Sequence, residues 1–275
     1  MQRILLLCVF VVCVLLCACG TQEVSLSKGR FSFPVAHNFI GAAKELPQKT
    51  SINNLIVSLA YVPEESSLRM NYVKNDGKSV DFVYSLNRLP VMVSYTHLNK
   101  KRSFLLGFGL GCGRYFYGRF IAGGNKKHIE WGGYFDLGFG FDSGSYEYSY
   151  YESSGFFSTG GEGYIHRGDS TYSDESIFHF VWTLGGYVSY YHGAFGVTYA
   201  PSLYAPWKRF DLPVYAMNDG DYDYSFGFPE VLSQYVGISF WLTEHWKISG
   251  GATFLTPIYF NSIVVLANTS ISFWF

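Results

Sequence analysis

The chain has 275 residues, of which 48% are hydrophobic, 20% aromatic and only 15% charged, with a formal net charge of −1. This length allows one large domain or two small ones. The near-neutral charge and the lack of a basic run exclude a typical nucleic-acid-binding protein, so no nucleic-acid partner is expected. The 23 Tyr, 25 Phe and 30 Gly residues suit either a membrane barrel with aromatic girdles or a secreted β-sandwich.

The N-terminus has the pattern of a secretory signal peptide, predicted over residues 1–20. Arg3 precedes the apolar stretch Ile4–Leu16, which is too short for a spanning helix. Residues 16–19 (LCAC) resemble a bacterial lipobox, which would make Cys19 the lipidated first residue. Residues 18–20 (ACG) also fit ordinary cleavage after Gly20. The lipobox is preferred, and both alternatives predict export and a single mature domain over residues 21–275.

The cysteines do not predict a disulfide framework, although the chain has five of them. Cys8, Cys13 and Cys17 lie in the leader, and Cys19 is either removed or acylated. Only Cys112 remains in the mature chain, so no internal disulfide is expected. Cys112 is interpreted as an apolar residue on a lipid-facing or core-facing strand.

The first third of the chain contains short candidate strands separated by polar turns. A loop is predicted over Gly41–Ser51. Asn75-Asp76-Gly77 is a strong hairpin pattern, because all three residues tolerate positive φ. The candidate strands are Arg30–His37, which Pro34 limits, and residues 55–61, 68–73, 80–84 and 91–95.

Two longer stretches alternate regularly between apolar and small or polar residues. In residues 104–112 the even positions are apolar, and a bulge near Gly113 is predicted to extend this strand to Tyr117, before a turn at Gly123–Asn125. In residues 129–141 every odd position except Gly133 is apolar and the even positions are polar or small. A sandwich strand usually runs about 5–6 residues, whereas a membrane-spanning strand needs roughly 9–11. The alternation therefore favours spanning strands.

The second half repeats this pattern around two segments predicted as long loops, Ser143–Ser176 and Ala205–Pro229. Short turns are predicted at His192-Gly193 and Thr243–His245. The predicted strands between these connections cover residues 178–190, 195–203, 236–242 and 246–254.

The chain ends in the sequence VVLANTSISFWF, in which Val265, Ala267, Ile271, Phe273 and Phe275 share one face. A final alternating strand that ends in an aromatic residue resembles the last strand of bacterial outer-membrane β-barrel proteins. The resemblance covers the mature chain as a pattern and indicates no particular family. It implies a location in the bacterial outer membrane, contact with outer-membrane lipid, and recognition of the strand ending at Phe275 by the barrel-assembly machinery.

The predicted fold is therefore all-β, an antiparallel transmembrane β-barrel of about 12 strands with long extracellular loops. Ten strands is the alternative if the first hairpin lies outside the wall. Counting back from Phe275 places the turns at residues 123–127, 192–193 and 243–245 in the periplasm, and both long loops outside. In a soluble β-sandwich there would be no reason for the short turns to lie at one end and the long loops at the other.

Five polar side chains are predicted to face the lumen: Glu130, Asp136, Asp142, His179 and Lys247. One hypothesis is an Asp136–His179 pair that serves hydrolysis. The preferred alternative is a hydrogen-bonded plug that fills a narrow lumen. The sequence shows no nucleophile beside a base and no metal-ligand spacing, so neither catalytic residues, a metal nor a cofactor is expected.

The segment Ser143–Ser176 is rich in Tyr, Ser and Gly, a composition that suits adaptable binding surfaces. Its candidates for binding an extracellular ligand are Tyr146, Tyr148, Tyr150, Tyr151, Arg167 and Asp169. The alternative is a solvated loop whose aromatic residues anchor it at the membrane interface. Residues 167–169 (RGD) match the integrin-binding tripeptide. A match of only three residues is not specific, so chance is the preferred explanation.

Three functions remain open at this point. The first is an outer-membrane barrel that acts as a narrow pore or a surface-exposed structural scaffold. The second is an exported surface lipoprotein with a soluble β fold that binds a partner or glycan through its Tyr-rich loop. The third, ranked last, is a barrel enzyme acting on lipids or peptides.

Overall fold

A computed structural model describes residues 22–33, 41–42, 44–62, 67–73, 79–86, 91–113, 115–153, 164–207, 209–210, 226–227, 230–258 and 263–275. The predicted signal peptide, with Cys19, lies outside these residues. No helix in the described part of the chain is long and apolar enough to cross a membrane. The strands are β1 Gln22–Phe33, β2 Lys49–Tyr61, β3 Ser67–Val73, β4 Ser79–Leu86, β5 Val91–Lys101, β6 Phe104–Cys112, β7 Tyr115–Lys126, β8 Ile129–Ser153, β9 Tyr164–His192, β10 Phe195–Trp207, β11 Arg209–Phe210, β12 Phe226–Gly227, β13 Val231–Trp241, β14 Trp246–Pro257 and β15 Val264–Trp274.

Ten of these strands form one closed antiparallel wall. The order around the wall is β2-β5-β6-β7-β8-β9-β10-β13-β14-β15, and β15 returns to pair with β2. Asn53 and Phe275 close this last ladder by donating backbone hydrogen bonds to each other, at 2.8 and 3.0 Å. Closure leaves the wall without a sheet edge, so its backbone groups are satisfied within the ladder, as a bilayer requires. The predicted all-β transmembrane barrel is confirmed, with the alternative number of ten strands.

The prediction of twelve strands was wrong in two places. Gly113 does not mark a bulge but lies in a tight turn between β6 and β7, which pair along their whole length. This turn adds one strand to the wall. The predicted strands at residues 30–37, 68–73 and 80–84 lie outside the wall: β3 pairs with β4, β4 pairs in parallel with β1, and β1 pairs with the far half of β8. Residues 34–37 are outside the described residues.

The segment Ser143–Ser176 is not the long loop that was predicted. Strands β8 and β9 continue as one ladder, with two shifts of register, as far as the pair Ser153–Tyr164. The reason is visible in the sequence SYEYSYY at residues 145–151, where Tyr alternates with Ser or Glu, since Tyr favours extended structure. The predicted loop Ala205–Pro229 likewise loses its start to β10, and Arg209–Phe210 pairs with Phe226–Gly227.

The outer face of the wall carries large apolar side chains at the positions that alternation predicted. In β8 the exposed side chains include Trp131, Phe135, Leu137, Phe139 and Phe141, of which Leu137 is 60% exposed. Cys112 is also exposed, on β6. A closed barrel that is apolar outside is stable in lipid and not in water.

All connections at one end of the barrel are short, and this end is called the turn end. It contains the turns Arg102-Ser103, Lys127-His128, Gly193-Ala194 and residues 242–245. At the opposite, loop end, longer stretches of sequence separate the end of β2 from β5, the end of β8 from β9, and the end of β10 from β13. The predicted turn at Gly123–Asn125 was misplaced by a few residues, because these residues belong to β7. Gly124 leaves room for the ring of Trp131, its neighbour across the ladder between β7 and β8. A Cβ at Gly124 would lie 2.4 Å from that ring.

Candidate functional site: a plugged lumen

The lumen has two walls with different side chains. The inward residues of β7, β8 and β9 include large aromatic and charged side chains, whereas most of the inward residues in the middle of β13, β14 and β15 are small. The large set includes Tyr117, Arg119, Tyr134, Asp136 and Tyr187, each at most 8% exposed. The small set includes Gly237, Ser239, Ser249, Gly251, Ser270 and Ser272.

Arg119 and Asp136 form a buried ion pair in the middle of the large wall. They lie directly opposite each other on β7 and β8. Arg119 donates from Nε and from Nη2 to the two carboxylate oxygens of Asp136, at 2.6 Å each. The rings of Tyr117 and Tyr134 flank the guanidinium, with centroids 5.3 and 4.7 Å from its carbon. The large wall therefore carries a charge-compensated, rigid group at this level of the lumen.

Glycines on neighbouring strands make room for these tyrosine rings. A Cβ at Gly111 would lie 2.1 Å from the Tyr117 ring, and a Cβ at Gly185 would lie 2.3 Å from the Tyr134 ring. Both tyrosines are buried. Each ring thus lies flat along the wall over a residue that has no side chain.

A short stretch after β1 folds into the turn end of the lumen. We call Gly41, Ala42 and residues 44–48 the plug segment. Ala42 is 0% exposed and Leu46 is 3% exposed, so both are enclosed by the wall. The loop predicted over Gly41–Ser51 is confirmed for the plug segment, whereas residues 49–51 belong to β2. The position of the plug segment inside the barrel was not foreseen.

Glu130 and Lys247 hold the first part of the plug segment. The Ala42 backbone N–H donates to Glu130 Oε1 at 3.2 Å, and the Tyr187 hydroxyl donates to the same oxygen at 3.1 Å. The Lys247 ammonium donates to the Gly41 carbonyl. A Cβ at Gly41 would lie 2.4 Å from Glu130 Oε1, so a larger residue at this position would displace the carboxylate from its bond to the Ala42 N–H.

Asn125 and Lys100 hold the second part. Asn125 Oδ1 accepts from the Leu46 N–H at 3.2 Å and from Lys100 Nζ at 3.0 Å, while Asn125 Nδ2 donates to the Lys44 carbonyl at 2.8 Å. Lys100 also donates to the Leu46 carbonyl. Lys44 Nζ lies 3.7 Å from the centre of the Trp241 ring. Burial lowers the pKa of Lys44, and the nearby Glu244 carboxylate opposes that shift.

The structure places three of the predicted lumen residues inside the barrel. Glu130, Asp136 and Lys247 are 0%, 3% and 0% exposed. The side chains of Asp142 and His179 are outside the described part. Asp136 does not have His179 as its ladder partner: Thr183 lies opposite it, and His179 pairs with Gly140, four residues further along. Both oxygens of Asp136 are instead engaged by Arg119.

The predicted ligand-binding residues of the Tyr-rich segment are not on a loop. Tyr146, Tyr148, Tyr150 and Tyr151 lie on β8, and Arg167 and Asp169 lie on β9, within the same ladder. Their side chains are outside the described part, so their role in binding stays a prediction. Within the residues that the structure describes, no three His, Cys, Asp or Glu side chains gather as a metal site would require.

Sequence reasoning missed Arg119, Lys100, Asn125 and the plug segment. Arg119 shares its parity with Tyr115 and Tyr117, a signal that was lost when β6 and β7 were taken as one strand. Lys100 continues the inward parity of Thr96 and Leu98, but the strand predicted at residues 91–95 ended before all three. The sequence of the plug segment has no pattern that reports its position.

Neither a family model nor a curated protein sequence matches this chain. Several solved structures do match, at low similarity. A NanC porin is 10% identical, over 80% of this chain and 98% of its own, with a TM-score of 0.33. The CymD monoaromatic hydrocarbon channel is 11% identical, over 82% and 88%, with a TM-score of 0.32. The outer membrane protease OmpT from Escherichia coli is 10% identical, over 83% and 97%, with a TM-score of 0.35.

Values this low transfer no function from these proteins to this chain. The chain's own architecture gives the coarser conclusion. Its closed wall has an even number of antiparallel strands, an apolar outer face, a polar lumen, and short turns at one end. These features define a β-barrel of the bacterial outer membrane.

Proposed function

We propose that the protein is a narrow outer-membrane pore that the plug segment holds closed at the turn end. The observation that carries the proposal is that the wall is complete without the plug segment. Every ladder around the barrel joins two wall strands, and residues 41–48 belong to none of them. Moving the plug segment would therefore leave the barrel closed on itself.

The contacts between the plug segment and the wall support a reversible closure. Glu130, Lys247, Asn125 and Lys100 hold it through hydrogen bonds to its backbone. Water can replace such bonds when the segment moves, since a net hydrogen bond contributes only about 0.5–1.5 kcal/mol, or about 1.5–3 kcal/mol where one partner is charged. The apolar side chains that would become exposed are small in number, chiefly Ala42 and Leu46.

The size of the wall limits the pore to small solutes. Barrels of about 8 strands are filled by side chains or hold one small ligand, and aqueous channels are typical of 16–18 strands. A ten-stranded wall lies near the narrow limit. The Arg119–Asp136 pair and its tyrosines narrow the lumen further above the plug segment.

Planar-bilayer recordings on the full-length protein test this proposal. Asn125→Ala removes the amide that bonds to Leu46 and Lys44, and Lys247→Met removes the ammonium that bonds to Gly41. We expect the wild type to be closed for most of the time and the double variant to conduct more often. Glu230→Gln, which changes an exposed charge at the loop end, serves as the control.

Each variant is first shown to be folded by its faster migration on unheated than on boiled SDS gels. If the folded double variant passes no more current than the wild type, the plug segment is not a gate. A barrel that never conducts in any variant would instead be a structural scaffold.

The sheet beyond the wall favours surface display as a second function. The far halves of β8 and β9 carry β1, β4 and β3 as further neighbours. A span needs only about 9–11 residues, and β8 has 25. We therefore propose that this five-stranded extension projects from the loop end, and protease digestion of intact cells should cut within it.

The soluble-lipoprotein alternative does not fit the apolar outer face, whereas lipidation of Cys19 stays a prediction.

A further inference from the structure

Four serines line up across four neighbouring strands on the inner face of the small wall. Ser239 on β13 lies opposite Ser249 on β14, Ser249 lies opposite Ser270 on β15, and Ser270 lies opposite Ser58 on β2. Directly opposite residues have Cβ atoms about 4.5–5.5 Å apart. The four hydroxyls therefore form a continuous row across the strands.

Three of these hydroxyls are buried without a hydrogen-bond partner among the described residues. Ser239, Ser249 and Ser270 are 5%, 7% and 6% exposed, and none of their Oγ atoms makes a hydrogen bond. Ser58 has only a long contact of 3.5 Å to the Met92 carbonyl. Buried polar atoms are nearly always bonded, because leaving one unbonded costs about 1–3 kcal/mol.

The next row toward the turn end adds further unbonded polar atoms. Ser272 and Trp241 both pair with Lys247 in this row, and Trp274 lies one step beyond. The Ser272 hydroxyl and the indole N–H groups of Trp241 and Trp274 are buried and also unbonded. The two indole rings lie 5.4 Å apart. We call these six side chains, Ser239, Ser249, Ser270, Ser272, Trp241 and Trp274, the hydroxyl patch.

We propose that the hydroxyl patch binds a small uncharged polyol such as a monosaccharide. Hydroxyl groups both donate and accept, so serine hydroxyls match the hydroxyls of such a solute. The indole N–H groups of Trp241 and Trp274 add two donors to the patch, while the ammonium groups of Lys44 and Lys247 lie over the ring faces. The patch itself carries no charge, and the ammonium of the adjacent Lys247 is already bonded to the Gly41 carbonyl.

The hydroxyl patch lies beside the plug segment, on the side that faces the loop end of the lumen. Lys44 of the plug segment lies over Trp241, at the turn-end edge of the patch. A solute that enters from the loop end reaches the serine row before it reaches the plug segment. This inference names the solute class of the proposed pore and depends on that function only for transport, since binding does not need an open plug.

Saturation-transfer NMR on the purified full-length protein in detergent tests the inference, with glucose as the probe. Gluconate and glucosamine serve as charged comparators. We expect glucose to bind better than either of them. Replacing the three unbonded serines of the serine row, as S239A/S249A/S270A, should weaken glucose binding about tenfold or more, as the loss of several hydrogen bonds predicts.

Ser189→Ala is the matched control, because Ser189 is a buried lumen serine whose hydroxyl already bonds to Thr198 at 2.7 Å. It should leave glucose binding within about twofold of the wild type. The triple variant should fold normally, since the hydroxyls that it removes have no partner in the part of the chain that the structure describes. If it does not fold, the single variant Ser249→Ala replaces it, with a smaller loss of the same direction.

The inference is overturned if glucose does not bind, which would mean that the patch holds water only. It is also overturned if the triple variant binds as well as the wild type, or if a charged comparator binds better. These results are independent of the current recordings. Glucose binding without conductance would refute the pore alone, and conductance without glucose binding would refute the hydroxyl patch alone.

Discussion

Arg119 faces Asp136 on the adjacent strand and donates two hydrogen bonds of 2.6 Å to its carboxylate inside the barrel. Because their partners are fixed, β7 and β8 cannot slip by one residue without burying two unpaired charges. The pair therefore sets the register of the ladder at the same place where it narrows the lumen.

Removing one member of this pair should strongly destabilise the barrel. Asp136→Asn or Arg119→Met leaves one buried charge without compensation, which costs about 3–5 kcal/mol in other proteins. The double variant Arg119→Met/Asp136→Leu should recover most of this loss. Urea unfolding in lipid vesicles, followed by gel mobility, measures all three. Single variants that lose less than about 1 kcal/mol would contradict a structural role for the pair.

Two adjacent glycines of β14 should respond differently to the same substitution. A Cβ at Gly251, which faces inward, would lie 2.3 Å from the Val236 carbonyl oxygen, whereas a Cβ at Gly250 would meet nothing nearer than 3.6 Å. Gly251→Ala should therefore destabilise the barrel by about 1–3 kcal/mol, since backbone has to move. Gly250→Ala should change the unfolding free energy by less than about 0.5 kcal/mol. Equal effects in the same urea titration would show that the strands adjust freely.

Alternation predicted the outer face well because lipid imposes one requirement on every strand. Residues such as Phe135, Leu137 and Phe139 must all be apolar, and a period of two follows directly. No equal requirement acts inside the barrel, where Gly, Ser, Tyr, Arg and Asp all occur. The identity of the lumen partners therefore could not be predicted.

Glycine explains the misplaced strand ends. The same residue type forms the turn at Gly193, which has φ of 57°, and lies within strands at Gly111 and Gly124 to make room for aromatic rings. Sequence alone does not separate these two uses. The plug segment was missed for a different reason: its contacts with Glu130 and Lys247 join residues far apart in the sequence.

Replacing Lys127 with glycine should make its turn, and with it the barrel, more stable. Lys127 has φ of 51°, in the left-handed region that disfavours residues with a Cβ. Lys127→Gly should stabilise the barrel by about 1 kcal/mol, after the flexibility of the unfolded glycine is included. Lys126→Gly is the control: Lys126 is the last residue of β7, so glycine there should destabilise. If Lys127→Gly and Lys126→Gly shift the urea midpoint of unfolding in the same direction, this explanation is refuted.

The C-terminal Phe275 should matter more for assembly than for stability. Its ladder bonds to Asn53 come from the backbone and survive substitution, and its side chain is 57% exposed, with Phe273 stacked at 5.6 Å. Phe275→Ala should therefore lower the unfolding free energy by at most about 1 kcal/mol. We expect it nevertheless to reduce the amount of barrel in the outer membrane of cells, because we propose that the assembly machinery recognises this residue. Phe139→Ala, which removes an exposed ring from the middle of the outer face, controls for the loss of apolar surface. If both variants accumulate equally in cells, Phe275 carries no assembly signal.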